Sequence, residues 1–190
     1  MRGSIGARLG GAILVVCTSL ATPAVAEEET AAELGWLYEL SAGILAHDVD
    51  NLWSGSREEN GLDLNVGLVL RRPSFAFLTG FVRPYLGVSV NTRGDTSKLY
   101  GGFVWQYVAD SGWFLKLGLG GAVHDGERET LREGKKELGS QVLFHIPIEL
   151  GRSVRGRHRV SLYFDHVSNA SLADENEGLD TLGLRYGYLF

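Results

Sequence analysis

A histidine and a serine near the C-terminus stand two positions apart, at His166 and Ser168, and an acid follows at Asp180. On an extended strand, residues two apart point to the same face at roughly 6–7 Å, so a histidine nitrogen can reach a serine hydroxyl. An acid on the neighbouring strand can accept the other ring proton and fix the tautomer. A serine that is activated by such a base and orienting acid can attack an ester carbonyl. The amides of Asn169 and Asn176 are close enough in sequence to donate to the oxyanion.

These polar residues continue an apolar stripe. Alternate residues of one predicted strand point the same way: Val160, Leu162, Phe164, His166 and Ser168. Asp180 has the same parity as Leu182 and Phe190, so it also points outward. Polar side chains on a face turned toward lipid are costly unless they meet partners or lie near the interface. The alternative interpretation of the same residues is ordinary loop polarity at the rim of the fold.

The strands that must position these residues are long and alternate. Eight are predicted, over residues 34–47, 61–70, 80–91, 98–109, 112–124, 138–151, 156–168 and 178–190. In the second strand, Leu62, Leu64 and Val66 share one face, while Asp63 and Asn65 share the other. Period-two alternation over strands of this length is typical of a transmembrane barrel, whereas soluble sandwiches use shorter strands. We therefore predict an all-β fold, an eight-stranded antiparallel transmembrane β-barrel of the outer membrane.

The connections between these strands alternate in length. Those at 49–60, 125–137 and 170–177 are long and charged, whereas those at 110–111 and 152–155 are short. Outer-membrane barrels have long outer loops and short periplasmic turns, which puts both termini on the periplasmic side. The inward positions hold four acids, Glu39, Asp63, Glu149 and Asp165, and four bases, Arg83, Lys116, Arg159 and Arg185, although their individual pairings cannot be read from the sequence. An eight-stranded lumen is narrow enough to be filled, so we predict a charge-paired plug rather than a pore.

Residues 1–26 have the pattern of a signal peptide, which leaves 27–190 as a single barrel domain. Arg2 and Arg8 precede a short apolar run, and Ala24-Val25-Ala26 forms a small-residue cleavage site. The run is too short to span a bilayer. The only cysteine, Cys17, lies inside this segment; lipidation there is the alternative, although Val15-Val16 is a poor approach to a lipidated cysteine.

Charge and composition exclude several classes of function. The chain carries 18 basic and 23 acidic residues, and no basic stripe indicates a nucleic-acid partner. His47, Asp48 and Asp50 lack a repeated ligand spacing, so neither a metal nor another cofactor is predicted. Trp36 and Trp105, like Trp113 and the C-terminal aromatics, are typical of interfacial girdles.

Three segments carry a resemblance to a known family. They are His166-Val167-Ser168-Asn169-Ala170, then Asn176-x-Gly178-x-Asp180, then Leu184-Arg185-Tyr186-Gly187-Tyr188. Together they resemble the lipid A 3-O-deacylase (PagL) family of Gram-negative outer membranes. The similarity is clear over the last 30 residues and looser over the rest of the mature chain. It implies an eight-stranded barrel with a lipid-facing Ser-His-acid triad that hydrolyses the ester-linked acyl chain at position 3 of lipid A.

The resemblance also implies roles for individual residues. Ser168 would be the nucleophile and His166 the base, with Asn169 and Asn176 as oxyanion donors or site-supporting residues. The acid position holds Asp180 where the family pattern leads us to expect glutamate, which is one methylene longer. Glu175 and Glu177 in the preceding loop are alternative acids.

The sequence therefore predicts an outer-membrane serine esterase that acts on lipid A in lipopolysaccharide, contacts outer-membrane lipids and needs no cofactor. One alternative is a non-catalytic eight-stranded barrel for adhesion or envelope integrity. Another is an acyltransferase, which would need a pocket inside the barrel. A soluble sandwich is the third. A homodimer could shield or align the site, although no residue pattern indicates one.

Overall fold

The computed structural model describes residues 35–129 and 133–190, so the predicted signal peptide lies outside the described residues. The strands are β1 (Leu37–His47), β2 (Leu62–Leu70), β3 (Phe75–Phe77), β4 (Gly80–Asn91), β5 (Lys98–Val108), β6 (Trp113–His124), β7 (Val142–Val154), β8 (His158–Ser168) and β9 (Leu179–Leu189). Across those two ranges, no helix is both long and apolar enough to cross a membrane.

Eight long strands close into an antiparallel barrel, as predicted. Neighbours in sequence pair with each other, β1 pairs with β9, and β2 pairs with β4 to complete the ring. The short β3 adds a ribbon to the start of β4, with Phe75 opposite Val82, and was not predicted. Strand β7 begins at Val142 rather than at residue 138, because the Leu138 and Gly139 amides donate to carbonyls of the preceding loop.

The alternation of side chains puts apolar groups outside and polar groups inside. On β2, Leu62, Leu64 and Val66 are exposed, while Asp63 and Asn65 are completely buried. The outward groups form an apolar wall that suits a hydrocarbon environment rather than water. The inward groups leave water and must find partners in the lumen.

A network of ion pairs fills the lumen toward the end that we assign to the periplasm. Lys116 Nζ lies 2.6 Å from Glu39 Oε1 and 3.2 Å from Glu149 Oε2. Arg159 Nη1 lies 2.6 Å from Glu39 Oε2, and Arg185 Nη1 lies 3.4 Å from Glu149 Oε2. Two acids and three bases thus form one ion-paired network away from solvent, and each base faces at least one carboxylate, which lowers the cost of burying these groups.

The structure gives partners to the remaining inward acids. Asp165 pairs with Lys98, a base that the sequence pattern did not single out, and Asp63 pairs with His47 at 2.8 Å. Arg83 has no acidic side chain within ion-pair distance among the described residues, so it adds no ion pair to the plug. It lies near one end of the barrel, where its guanidinium covers the Tyr38 ring at 4.2 Å.

The lumen is a filled core and not a channel. A cavity of only about 30 Å³ remains between Ser41, Tyr85, Tyr163 and Arg185. The guanidinium of Arg185 lies against Gly67 so closely that a Cβ on this residue would collide with Nη2. A side chain at Gly67 would therefore displace the ion-pair network.

Long loops cover the end of the barrel that we assign to the outside. The buried Glu59 carboxylate ties them together: it contacts His47 Nε2 at 2.9 Å and accepts bonds from the Thr96 amide and hydroxyl and from the Lys136 amide. Lys136 Nζ in turn donates to Ser56 O at 2.6 Å. Burial alone would raise the pKa of the Glu59 carboxyl, but the hydrogen bonds from His47 and Thr96 outweigh it and lower that pKa.

Candidate active site

The candidate site lies where β8 and β9 meet the outer loops. In the antiparallel register, His166 is directly opposite Asp180. Side chains of residues directly opposite on two strands have Cβ atoms roughly 4.5–5.5 Å apart, so an imidazole and a carboxylate can bond there. Ser168 follows on the same face of β8, at its last position.

A continuous chain of hydrogen bonds joins the three predicted residues. His166 Nδ1 lies 2.7 Å from Asp180 Oδ1, and His166 Nε2 lies 2.9 Å from Ser168 Oγ. With a proton on Nδ1 held by the carboxylate, Nε2 is free to accept the serine proton. The geometry is that of a nucleophile, its base and an orienting acid.

Backbone groups of the β1–β2 loop fix the acid in place. Asp180 Oδ2 accepts hydrogen bonds from the amides of Trp53, at 2.5 Å, and Ser54, at 2.7 Å. The Asp180 carbonyl accepts a third bond from the Val49 amide at 3.0 Å. This loop completely buries the carboxylate although its strand position points outward. Both carboxylate oxygens are therefore occupied, one by the loop and one by His166.

The Trp53 ring covers the imidazole. It stacks on His166 with centroids 4.6 Å apart and planes at 16°, and it extends over Phe164 with centroids at 6.5 Å. The pattern of strand residues gave no sign of this contact, because it joins a loop to a strand more than a hundred positions away. The available signal was an aromatic residue in an otherwise polar, charged loop.

Asn169 anchors the loops that surround the site. Its side-chain amide donates to Leu138 O at 3.0 Å and to Glu175 O at 2.5 Å, and its Oδ1 accepts from the Leu172 amide. Both donors of this amide are thus committed to backbone carbonyls of neighbouring loops. Of its two predicted roles, the geometry fits site support rather than oxyanion donation.

Asn176 faces the serine side of the site. Its Oδ1 accepts the Asn169 backbone amide at 2.8 Å, which orients the side chain, and its Nδ2 has only a long contact of 3.4 Å to Ser171 Oγ. Nδ2 therefore keeps donor capacity, and Asn176 lines the same recess as Ser168 and His166. Of the acids considered, Asp180 is the one bonded to His166 Nδ1, while the carboxylate of Glu177 accepts the Glu137 amide.

A recess of about 470 Å³ opens in front of Ser168, between Trp53, Ile146 and Asn176. Next to it, a depression of about 400 Å³ runs along the outer face past Phe144 to Gly121. Phe144 stands directly opposite Ser168 across β7 and β8. The polar site thus opens onto apolar barrel wall, where an acyl chain can lie.

Comparisons with known proteins agree with this geometry. The family model described as lipid A 3-O-deacylase (PagL) matches residues 9–189. The chain belongs to this family.

Two members of the PagL family illustrate the relationship. The lipid A deacylase PagL of Bordetella bronchiseptica (strain ATCC BAA-588 / NCTC 13252 / RB50) is 30% identical over 97 residues, which are 47% of this chain and 52% of that protein. The match therefore spans about half the length of the curated relative. A crystal structure of the outer membrane enzyme PagL has a TM-score of 0.60 at 24% identity and covers 80% of this chain and 99% of the other, which is a likeness of fold. Membership of the PagL family and the apolar wall identify this chain as a barrel of the outer membrane.

The predicted site residues of this PagL family member are thus brought together, with one difference from the expected pattern. The shorter Asp180 reaches His166 as well as a longer acid would, because the register puts the two residues directly opposite each other. Among the described residues, no group of three or more histidines, cysteines or acids could hold a metal ion.

Proposed function

We propose that this protein is a lipid A 3-O-deacylase, a serine esterase that hydrolyses the ester-linked acyl chain at position 3 of lipid A. The observation that carries the proposal is the hydrogen-bonded series of Ser168, His166 and Asp180 on the outer face of the barrel. Membership of the PagL family supports the choice of substrate and bond.

In the first step, Ser168 Oγ attacks the ester carbonyl carbon while its proton moves to His166 Nε2. The resulting imidazolium is stabilised by Asp180, which stays ionised. When the tetrahedral intermediate collapses, the bond between the carbonyl carbon and the sugar oxygen breaks. His166 returns the proton to that oxygen, and the acyl group remains on Ser168.

In the second step, water replaces the sugar. His166 Nε2 takes a proton from a water molecule as the water oxygen attacks the acyl-serine carbonyl. Collapse of this second intermediate releases the fatty acid and returns the proton to Ser168 Oγ. No other reactant is consumed.

Asn176 is the side chain best situated to stabilise the oxyanion. Its carbonyl oxygen is held by the Asn169 amide, which orients the side chain, and Asn176 lines the recess beside Ser168. A pre-oriented donor of this kind is typically worth about 10²–10³ in rate.

The surroundings favour a lipid substrate that reaches the site from the membrane plane. Ser168 borders the apolar wall at Phe144 and Ile146, and the lumen holds no room for a lipid chain among the described residues. This filled interior weighs against the acyltransferase alternative, which needs an internal pocket.

The test is mass spectrometry of lipid A after incubation with the refolded protein in detergent, for wild type and Ser168→Ala. We expect loss of one 3-position acyl chain with wild type and none with Ser168→Ala. Ser171→Ala is the matched control, since it removes a neighbouring hydroxyl from the same recess and should retain most of the activity. Unchanged lipid A with a folded wild-type barrel would instead favour the non-catalytic alternative.

A further inference from the structure

An open recess of about 730 Å³ lies at the periplasmic mouth of the barrel, at the opposite end from the candidate active site. It is lined by Tyr38, Arg71, Arg72, Pro73, Ser74 and Arg83. Three guanidinium groups thus surround one space, and none of them takes part in the proposed deacylation.

The positive charge in this recess is only partly neutralised by the protein. In the described part of the chain, no acidic side chain lies within 4 Å of Arg71, Arg72 or Arg83, although Arg71 contacts a main-chain oxygen of the last residue, Phe190. The strongly buried lumen bases, by contrast, have acid partners, namely Lys98, Lys116, Arg159 and Arg185. Arg83 is half-buried, and a half-buried cation without a counter-charge is costly, so an anion in the recess would remove that cost.

The guanidinium groups are held in place yet retain free donors. The Arg83 guanidinium lies over the Tyr38 ring at 4.2 Å and over the Phe81 ring at 5.1 Å, and its buried Nε has no hydrogen-bond partner. Arg71 Nη2 donates to the main-chain oxygens of Leu37 and of the last residue, Phe190. Stacked and anchored arginines are pre-oriented for phosphate, which accepts paired N–H donors in the plane of the guanidinium.

An exposed apolar hairpin adjoins the recess. Phe75 and Phe77 on β3 are each 56% exposed, Leu78 at the turn is 81% exposed, and Phe81 on β4 is 49% exposed. The Trp105 indole donates to Phe77 O at 2.9 Å and holds the hairpin against the wall. Aromatic groups of this kind lie at the membrane interface, so the recess is level with lipid headgroups.

We propose that this recess binds the phosphate of a phospholipid in the periplasmic leaflet, with Arg71, Arg72 and Arg83 on the phosphate and the Phe75–Phe81 hairpin against the acyl chains. The apolar hairpin favours a lipid over free phosphate, which would use the arginines alone. Such a lipid would fix the lower rim of the barrel independently of catalysis at the outer end.

The test is native mass spectrometry of the refolded full chain in detergent with phosphatidylglycerol added. Wild type should retain one lipid, while Arg72→Gln and Arg83→Gln should each weaken retention roughly tenfold, the loss of one charge-assisted contact. Arg155→Gln is the matched control, because Arg155 is exposed in the β7–β8 turn at the same end and does not line the recess. Heat-modifiable migration and deacylation of lipid A confirm that each variant is folded.

Three results would overturn the proposal. Wild type could retain no more lipid than Arg83→Gln and Arg72→Gln, or Arg155→Gln could lose as much as they do, which would mean diffuse charge attraction. Inorganic phosphate, titrated as a competitor, could displace the lipid at an equal concentration, which would make the recess a site for free phosphate. Arg72 is exposed, so its variant tests the site even if Arg83→Gln does not fold.

Discussion

Replacement of Asp180 by asparagine should leave the barrel folded and nearly abolish the reaction. The carboxylate accepts three N–H groups: the Trp53 and Ser54 amides on Oδ2 and His166 Nδ1 on Oδ1. An asparagine of the same shape has only one accepting oxygen. It must therefore turn either its oxygen or its NH2 group toward His166.

The hydrogen-bond count decides which orientation wins. With oxygen toward the loop, two amide bonds are kept; with oxygen toward His166, both amides face an NH2 group. Each buried group left without a partner costs about 1–3 kcal/mol, and the second orientation leaves two amides without one, so the first is favoured by about 2–6 kcal/mol. The NH2 group then donates to Nδ1, the proton is forced onto Nε2, and His166 can no longer accept the Ser168 proton. The wrong tautomer and the loss of the negative charge beside the imidazolium should together decrease kcat by about 10³–10⁴.

The assay is the initial rate of lipid A deacylation by the refolded variants, with heat-modifiable migration as the measure of folding. Asp180→Glu is the matched control, since it keeps the charge and both acceptors and should retain activity within about tenfold, limited by crowding under the loop. If Asp180→Asn kept more than a tenth of the wild-type kcat, Asp180 would not be the residue that sets the His166 tautomer.

Three further outcomes are expected. Trp53→Ala removes the ring stacked on His166 but keeps the backbone amides that hold Asp180. The kcat of deacylation should therefore decrease about two- to tenfold at unchanged thermal stability. An unchanged kcat would mean that the ring only covers the site. Gly121→Leu is sterically tolerated, because a Cβ at this position meets only one carbonyl, at 3.6 Å. If the acyl chain of the substrate lies in the depression beside Phe144, the leucine should lower kcat/KM several-fold. A kcat/KM equal to that of wild type would exclude the depression as the acyl-chain path. Ionised Glu59, whose pKa is lowered in the fold, stabilises the loops at pH values above its usual pKa near 4.5, and this contribution is lost as pH falls through the lower, folded pKa. Limited proteolysis of the loops should therefore increase in acid, and by less in Glu59→Gln than in wild type; an equal increase in both would exclude Glu59 as its source.

Much of the barrel could be predicted because its determinants are local and repeated. Leu62, Leu64 and Val66 alternate with buried polar residues, and this period alone assigns inside and outside. The pairing partners were harder to predict, since charge and parity cannot choose between two bases at different heights. Asp165 therefore meets Lys98, and Arg83 is left at the mouth. The ribbon at β3 is too short for its period to be distinguished from a turn.

The sequence signal for the central pair of the candidate site, His166 and Ser168, was also local. His166 and Ser168 share a face by spacing alone, and Asp180 follows from the register of adjacent strands. The contribution of the β1–β2 loop was not predictable, because the Trp53 and Ser54 amides reach Asp180 only after the barrel has closed between β1 and β9. Backbone donors also have no residue type that a sequence motif could carry.

The filled lumen has a kinetic consequence. With a cavity of only about 30 Å³ inside and the Ser168 recess opening onto the outer wall, the proposed function requires a lipid substrate to reach the site by lateral diffusion within the bilayer plane. Turnover would then depend on the mole fraction of substrate in the surrounding membrane rather than on its bulk concentration. Dilution with inert lipid or detergent would slow the proposed reaction even when the total amount of substrate per volume is constant, and the fatty acid product would leave by the same two-dimensional route.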